Sequence, residues 1–102
     1  MLLSVRHIKV FLHFGEIAMR KIEFYDKKNI IAERLKEARK ERRITQSELA
    51  ARLQVLNVNI DQQMISKIEK NDRQVTDYEV ACICECLKIE PAWLLQDYRL
   101  LL

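Results

Sequence analysis

Two tetrapeptides of the form Thr-x-x-Glu, Thr45-Gln-Ser-Glu48 and Thr76-Asp-Tyr-Glu79, constrain this chain more than any other feature. In such a box the threonine hydroxyl accepts the N–H three residues on, and the glutamate reaches back to the threonine's own N–H. Each box therefore marks the start of a helix. Apolar residues at helical spacing follow both: Leu49, Ala50 and Leu53 after the first, Val80, Ile83, Cys84 and Leu87 after the second. Composition points the same way. One glycine and one proline in 102 residues leave a β-rich fold without its tight turns and exclude a glycine-rich phosphate loop. The length gives room for one domain with one modest core. With 49% apolar and 32% charged residues, the chain is too apolar to be disordered throughout.

Further helix signals flank the two boxes. Asn29 is a good N-cap, and Ile31, Leu35 and Ala38 then recur at i, i+4, i+7 to give a first helix that ends near Arg42. The second helix, opened by Thr45, stops at Asn57, because asparagine tolerates the left-handed conformation. Asp61 caps a third helix over residues 62 to 70, with Ile65 and Ile68 facing inward and Gln63, Ser66, Lys67 and Lys70 outward. Asn71-Asp72 breaks it. After the fourth helix, Glu90-Pro91 begins a short fifth one, since proline at the first helical position lacks an N–H that would be unpaired anyway. Trp93 and Leu94 close the core. The expected architecture is a compact all-α domain of five helices over residues 29–97.

The ends differ from this domain. Residues 1–28 form an N-terminal extension in which Val5 to Phe14 alternates loosely, as in a strand with nothing to pair with. Gly15-Glu16 can be encoded by a purine-rich ribosome-binding sequence just ahead of Met19, so the natural start is expected at Met19. Residues 98–102 are an apolar tail. No stretch spans a bilayer and no signal peptide is evident, so a cytoplasmic protein is expected.

The net charge of +3 decides little, but its distribution is uneven. Lys27 to Arg43 holds eight basic residues against three acidic, and Thr76 to Tyr98 holds five acidic against one lysine. The molecule should have a basic end able to face phosphates and an acidic end; i,i+3 and i,i+4 pairs on a solvated helix would account for the charges equally well. Cys82, Cys84 and Cys86 lack the spaced pairs of a zinc site, and His7 and His13 have no ligand partners in view. No metal or cofactor is expected. No nucleophile–base pair or carboxylate pair suggests an enzyme.

Four strings carry a resemblance. They are Leu35-Lys-Glu-Ala-Arg39, Ile44-Thr-Gln-Ser-Glu-Leu-Ala50, Ile65-Ser-Lys-Ile-Glu69 and Leu87-Lys-Ile-Glu-Pro-Ala-Trp-Leu-Leu95, in order and at compatible spacing. With them, residues 29–97 resemble the phage-repressor, Cro/CI-like helix-turn-helix family. The resemblance implies a sequence-specific regulator of transcription, a repressor acting by operator occupancy, bound to double-stranded DNA as a homodimer. An antitoxin or other protein-interaction module on the same fold, with a toxin as partner, is the alternative.

On this resemblance Gln46 contacts a phosphate at the N-terminus of the second helix, where unpaired N–H groups favour an anion. Gln62 and Gln63 open the base-reading helix; a glutamine amide matches the donor and acceptor of adenine, and Lys67 can reach guanine. Ser66, Lys70, Asn71 and Arg73, with Arg42 and Arg43 before the second helix, are candidates for backbone contacts. Arg39 and Glu69 stand where the family has an ion pair that orients the third helix. Surplus apolar residues late in the chain, Trp93, Leu94, Leu95, Tyr98 and Leu100 to Leu102, are candidates for a dimer surface, with satellite packing on the core as the alternative. One departure is clear: Gln54 to Ile60 makes the connection between helices two and three longer than the family's usual few residues. The extra length is expected to add a turn to helix two, with Asn57-Val58 as its stop and Asn59-Ile60 in the link.

Overall fold

The structure, a computed structural model, describes residues 26–96. The expectations for residues 1–25, including a start at Met19, and for the tail 98–102 lie outside the described residues. Within them the chain is a compact all-α domain of five helices: α1 (Ala32–Glu41), α2 (Gln46–Val55), α3 (Gln62–Glu69), α4 (Asp77–Leu87) and α5 (Pro91–Leu94).

The local signals place the helix starts. Thr45 Oγ1 accepts from Glu48 N at 3.0 Å while Glu48 Oε1 accepts from Thr45 N at 2.7 Å, and Thr76 and Glu79 repeat the exchange. Asp61 caps α3 by accepting from Met64 N at 2.8 Å, and Pro91 is the first residue of α5. One start was misplaced. Asn29 does not cap α1, whose N-cap is Ile31 with no side-chain cap bond. Asn29 is buried instead, and its side chain bonds across the molecule.

The helix ends are made without glycine. Arg43, Asn57, Asn71 and Lys88 all have positive φ, between 56° and 65°, the left-handed conformation that glycine adopts most cheaply. At α2 the N–H of Asn57 reaches Gln54 O and that of Val58 reaches Leu53 O. This paired closure satisfies carbonyls that the helix end leaves over. Arg43 with Ile44, and Asn71 with Asp72, close α1 and α3 in the same way. The added length falls as expected: α2 runs past Leu53 to Val55, and Asn57 stops it.

The core is the sum of the inward faces. Leu35 and Ala38 of α1, Leu49 and Leu53 of α2, Ile65 and Ile68 of α3, Ile83 and Leu87 of α4, and Leu94 of α5 are fully buried. Each leucine or isoleucine among them contributes about 1.5–3 kcal/mol by leaving water, and Ala38 less. The α3 helix packs on α1 and α2, α4 on α2, and α5 on α4. The connection before α3 also feeds the core: Ile60 is fully buried and Val58 nearly so, whereas Val55 stands 80% exposed on the added turn. Of the surplus apolar residues, Leu94 is buried, and Trp93 and Leu95 pack against the core. Arg34 lies over the Trp93 ring, 4.7 Å from its centroid. No helix among the described residues is long and apolar enough to cross a membrane.

Candidate nucleic-acid interface

The α3 helix sorts its residues by face. Ile65 and Ile68 are fully buried, and Gln62, Gln63, Lys67 and Lys70 are exposed, with Ser66 at the margin. Among the described residues the side chains of Gln63, Ser66, Lys67 and Lys70 make no hydrogen bond or ion pair within the chain. Their polar ends are turned to solvent. Arg43, in the turn ahead of α2, is likewise exposed and unengaged among the described residues.

A polar junction holds this helix against the rest. Arg39 donates from Nε to Glu69 Oε2 at 2.7 Å and from Nη2 to Glu69 Oε1 at 3.0 Å, a two-pronged pair between α1 and the end of α3. Its third donor, Nη1, reaches Ile44 O at 2.9 Å. The side chains of Arg39 and Glu69 are 11% and 4% exposed, so the pair fixes geometry more than it adds net stability. Gln46, first in α2, joins it: its Nε2 donates to Glu69 Oε1 at 3.0 Å. Gln62, first in α3, then donates from Nε2 to Gln46 Oε1 at 2.6 Å. The bond between the two glutamines had no signal in the sequence, because it depends on how α2 and α3 lie together.

Other expected phosphate contacts are engaged elsewhere. Arg73 pairs with Glu79 through two bonds of 3.0 Å and donates to Gln74 O as well. Burial would push the Glu79 carboxyl up, but the bonds from Arg73 and from Thr76 outweigh it and hold the group below its ordinary value. The same bond to Glu79 raises the Arg73 guanidinium. Arg42 turns toward Lys88 O, at 3.4 Å, and Glu41, at 3.6 Å. Asn71 uses its Oδ1 to accept the N–H groups of Lys28 and Asn29, at 2.8 and 3.0 Å. Asn29 in turn donates from Nδ2 to Ile68 O and Arg73 O, at 3.0 and 2.9 Å.

Of the cysteines, Cys84 is buried, and Cys82 and Cys86 are half-buried. Burial pushes the Cys84 and Cys86 thiols up, which makes them poor nucleophiles at neutral pH. No cluster of three or more metal-ligating side chains occurs among the described residues.

What this arrangement offers is a polar helix face presented by a firm apolar and ionic base, with an N-terminal amide pair at its edge. A helix-turn-helix family model matches residues 35–94, from Leu35 in α1 to Leu94 in α5. No curated protein and no solved structure matches the chain. The matched span contains α2, α3 and all members of the polar junction, and the family is one that typically binds DNA and regulates transcription without catalysis. The chain belongs to the helix-turn-helix family of the Cro/CI type.

Proposed function

We propose that this protein is a sequence-specific repressor that binds duplex DNA as a homodimer and acts by occupying its operator. The observation that carries the proposal is the division of α3: Ile65 and Ile68 anchor it, while Gln63 and Lys67 face solvent with polar ends available and exposed Gln62 keeps one N–H and its oxygen beyond its bond to Gln46. A helix of this width fits the major groove, where amide and ammonium groups meet base edges. Gln62 and Gln63 are assigned to adenine and Lys67 to guanine or a phosphate.

Gln46 keeps a second N–H beyond the one given to Glu69, and at the start of α2 it is assigned to a phosphate. Arg43, Ser66 and Lys70 are assigned to the DNA backbone on their exposure. Arg42, Asn71 and Arg73 act from behind, through the intramolecular bonds given above. Exposed cations of this kind make affinity fall as salt rises, because phosphate contacts release counterions.

Selection of bound duplexes from a random pool tests the proposal. The expected product is a two-fold symmetric site with half-sites about 34 Å apart. Gln63→Ala should then relax preference at one base position in each half-site. Recovery of unrelated duplexes, bound weakly and equally, would overturn it.

A further inference from the structure

We infer that Cys82 and Cys86 form a two-thiol site on the flank of α4 for one soft cation of the copper(I) class. The inference stands apart from the DNA-reading role given to α3 above.

The cysteines of α4 are not alike. Cys84 is buried among the core side chains, whereas Cys82 and Cys86 are half-buried at the core's edge. Positions i and i+4 of a helix lie one above the other, with about 5–6 Å between their Cβ atoms. Cys84, two positions from each, points to the opposite side. Cys82 also helps burial to push the Cys86 thiol up, as a close neighbour does. Neither sulfur is in a disulfide, and neither makes a hydrogen bond among the described residues. Two unengaged thiols therefore share one face, within reach of solvent and backed by apolar side chains.

The pair selects its ligand by donor number and softness. A structural zinc asks for four donors, and no group of three or more His, Cys, Asp or Glu side chains able to hold a metal occurs among the described residues. Glu85, the carboxylate between the two cysteines in the chain, pairs with Lys88 at 3.3 Å. Magnesium and calcium take oxygen ligands. Copper(I) favours thiolates, and as a closed-shell ion it is satisfied by two sulfurs in line. With metal–sulfur bonds of about 2.3 Å, the length in a zinc thiolate, the two sulfurs would stand roughly 4.6 Å apart. Rotation about χ1 brings sulfurs to that separation from Cβ atoms one helical turn apart, and the helix need not move.

The charges agree as well. A bound metal displaces the proton of each thiol it takes. Two thiolates and one monovalent cation leave a single negative charge on the site. Arg52 of α2 stands beside it, its Nη1 donating to Cys86 O at 3.4 Å, and its guanidinium offsets that charge.

The test titrates the reduced full chain, in the absence of oxygen, with Cu(I) held by a chromophoric chelator. One equivalent should bind per chain. Cys82→Ser and Cys86→Ser should each weaken binding more than about a hundredfold, beyond the roughly 10–100-fold that loss of an outer-shell partner costs. Cys84→Ala should bind as wild type does, and melting followed by circular dichroism checks that each variant folds. Labelling of loaded wild type with excess maleimide, mapped by mass spectrometry, should find Cys82 and Cys86 protected together, a readout that needs no variant. Unchanged affinity in Cys82→Ser or Cys86→Ser, or protection of only one of the two thiols, overturns the site. So do copper-bridged dimers in size-exclusion chromatography, a loss of about tenfold or more in folded Cys84→Ala, or displacement of the copper by excess Zn(II).

Discussion

The two connections that flank α3 hold it by opposite means. Upstream, between Val55 and Gln62, the chain is fastened to the core by apolar burial: Val58 and Ile60 plug the core, while the side-chain bonds there among the described residues are the local Asp61 cap of α3 and a long one from Gln54 to Ile60 O, at 3.4 Å. Downstream, between Glu69 and Asp77, the fastening is polar. The side chains of Asn29 and Asn71 make five bonds with the backbone around them, and Arg73 locks to Glu79. Burial is insensitive to direction, so the upstream link tolerates extra length as long as an apolar side chain reaches the core. Hydrogen bonds are directional. The downstream link is consequently the one that sets where the helix points.

The largest effect should come from Ile60→Ala. Removing a fully buried isoleucine leaves a cavity, and about 3 kcal/mol of stability should be lost in urea denaturation, within the 2–5 kcal/mol such truncations cost. A loss below 1 kcal/mol would mean that the upstream link is not held by burial. Asn29→Ala should cost about 2 kcal/mol, because Ile68 O and Arg73 O lose their donor in a part-buried place. Neutral behaviour would dissolve the contrast from the other side.

A matched pair sharpens it. Asn57 and Asn71 share the same left-handed backbone, each with φ of 65°, but only Asn71 uses its side chain. Asn57→Gly should change the melting free energy by no more than about 0.5 kcal/mol, and Asn71→Gly should cost roughly 1–2 kcal/mol. Equal effects would show that backbone conformation alone matters at both sites.

Acid titration reads the smallest difference. The Glu79 carboxyl is held below its ordinary value of 4.5, so its pairing stabilises the fold above that pH. The contribution is lost as pH falls through the depressed value. Melting temperature should therefore fall on acidification below about 4.5, and less steeply in Glu79→Gln than in wild type. Parallel curves would remove Glu79 from the downstream fastening.

The same contrast explains what was legible in the residues. Capping boxes, the Asp61 cap and the Asn57 stop are local devices, written within four or five positions, and each is found where the sequence puts it. The Arg39–Glu69 pair was legible only by resemblance. Asn29 was misjudged because its partners, Ile68 and Arg73, lie about forty residues away. To a sequence it offers only a plausible cap. Arg73 showed its positive charge but not its engagement by Glu79, whose role in the Thr76 box gave no hint of a second task. Ile60, flanked by Asn59 and Asp61, had no periodic neighbours to mark it as core. The bond between Gln46 and Gln62 arises from the packing of two helices, and no spacing rule contains it.

The glycine-free helix ends have an engineering consequence for α3. Asp61 starts this helix and Asn71 ends it, both through bonds to its own backbone, so the segment between them behaves as a cassette with built-in terminals. Its outer positions are not equally open to rewriting. Among the described residues, Gln63, Ser66, Lys67 and Lys70 make no side-chain bond to the rest of the protein, and can be randomised to seek new operators. Gln62 is wired to its support through Gln46, and a library that varies it alone would change one end of a circuit whose other end still calls for a donor.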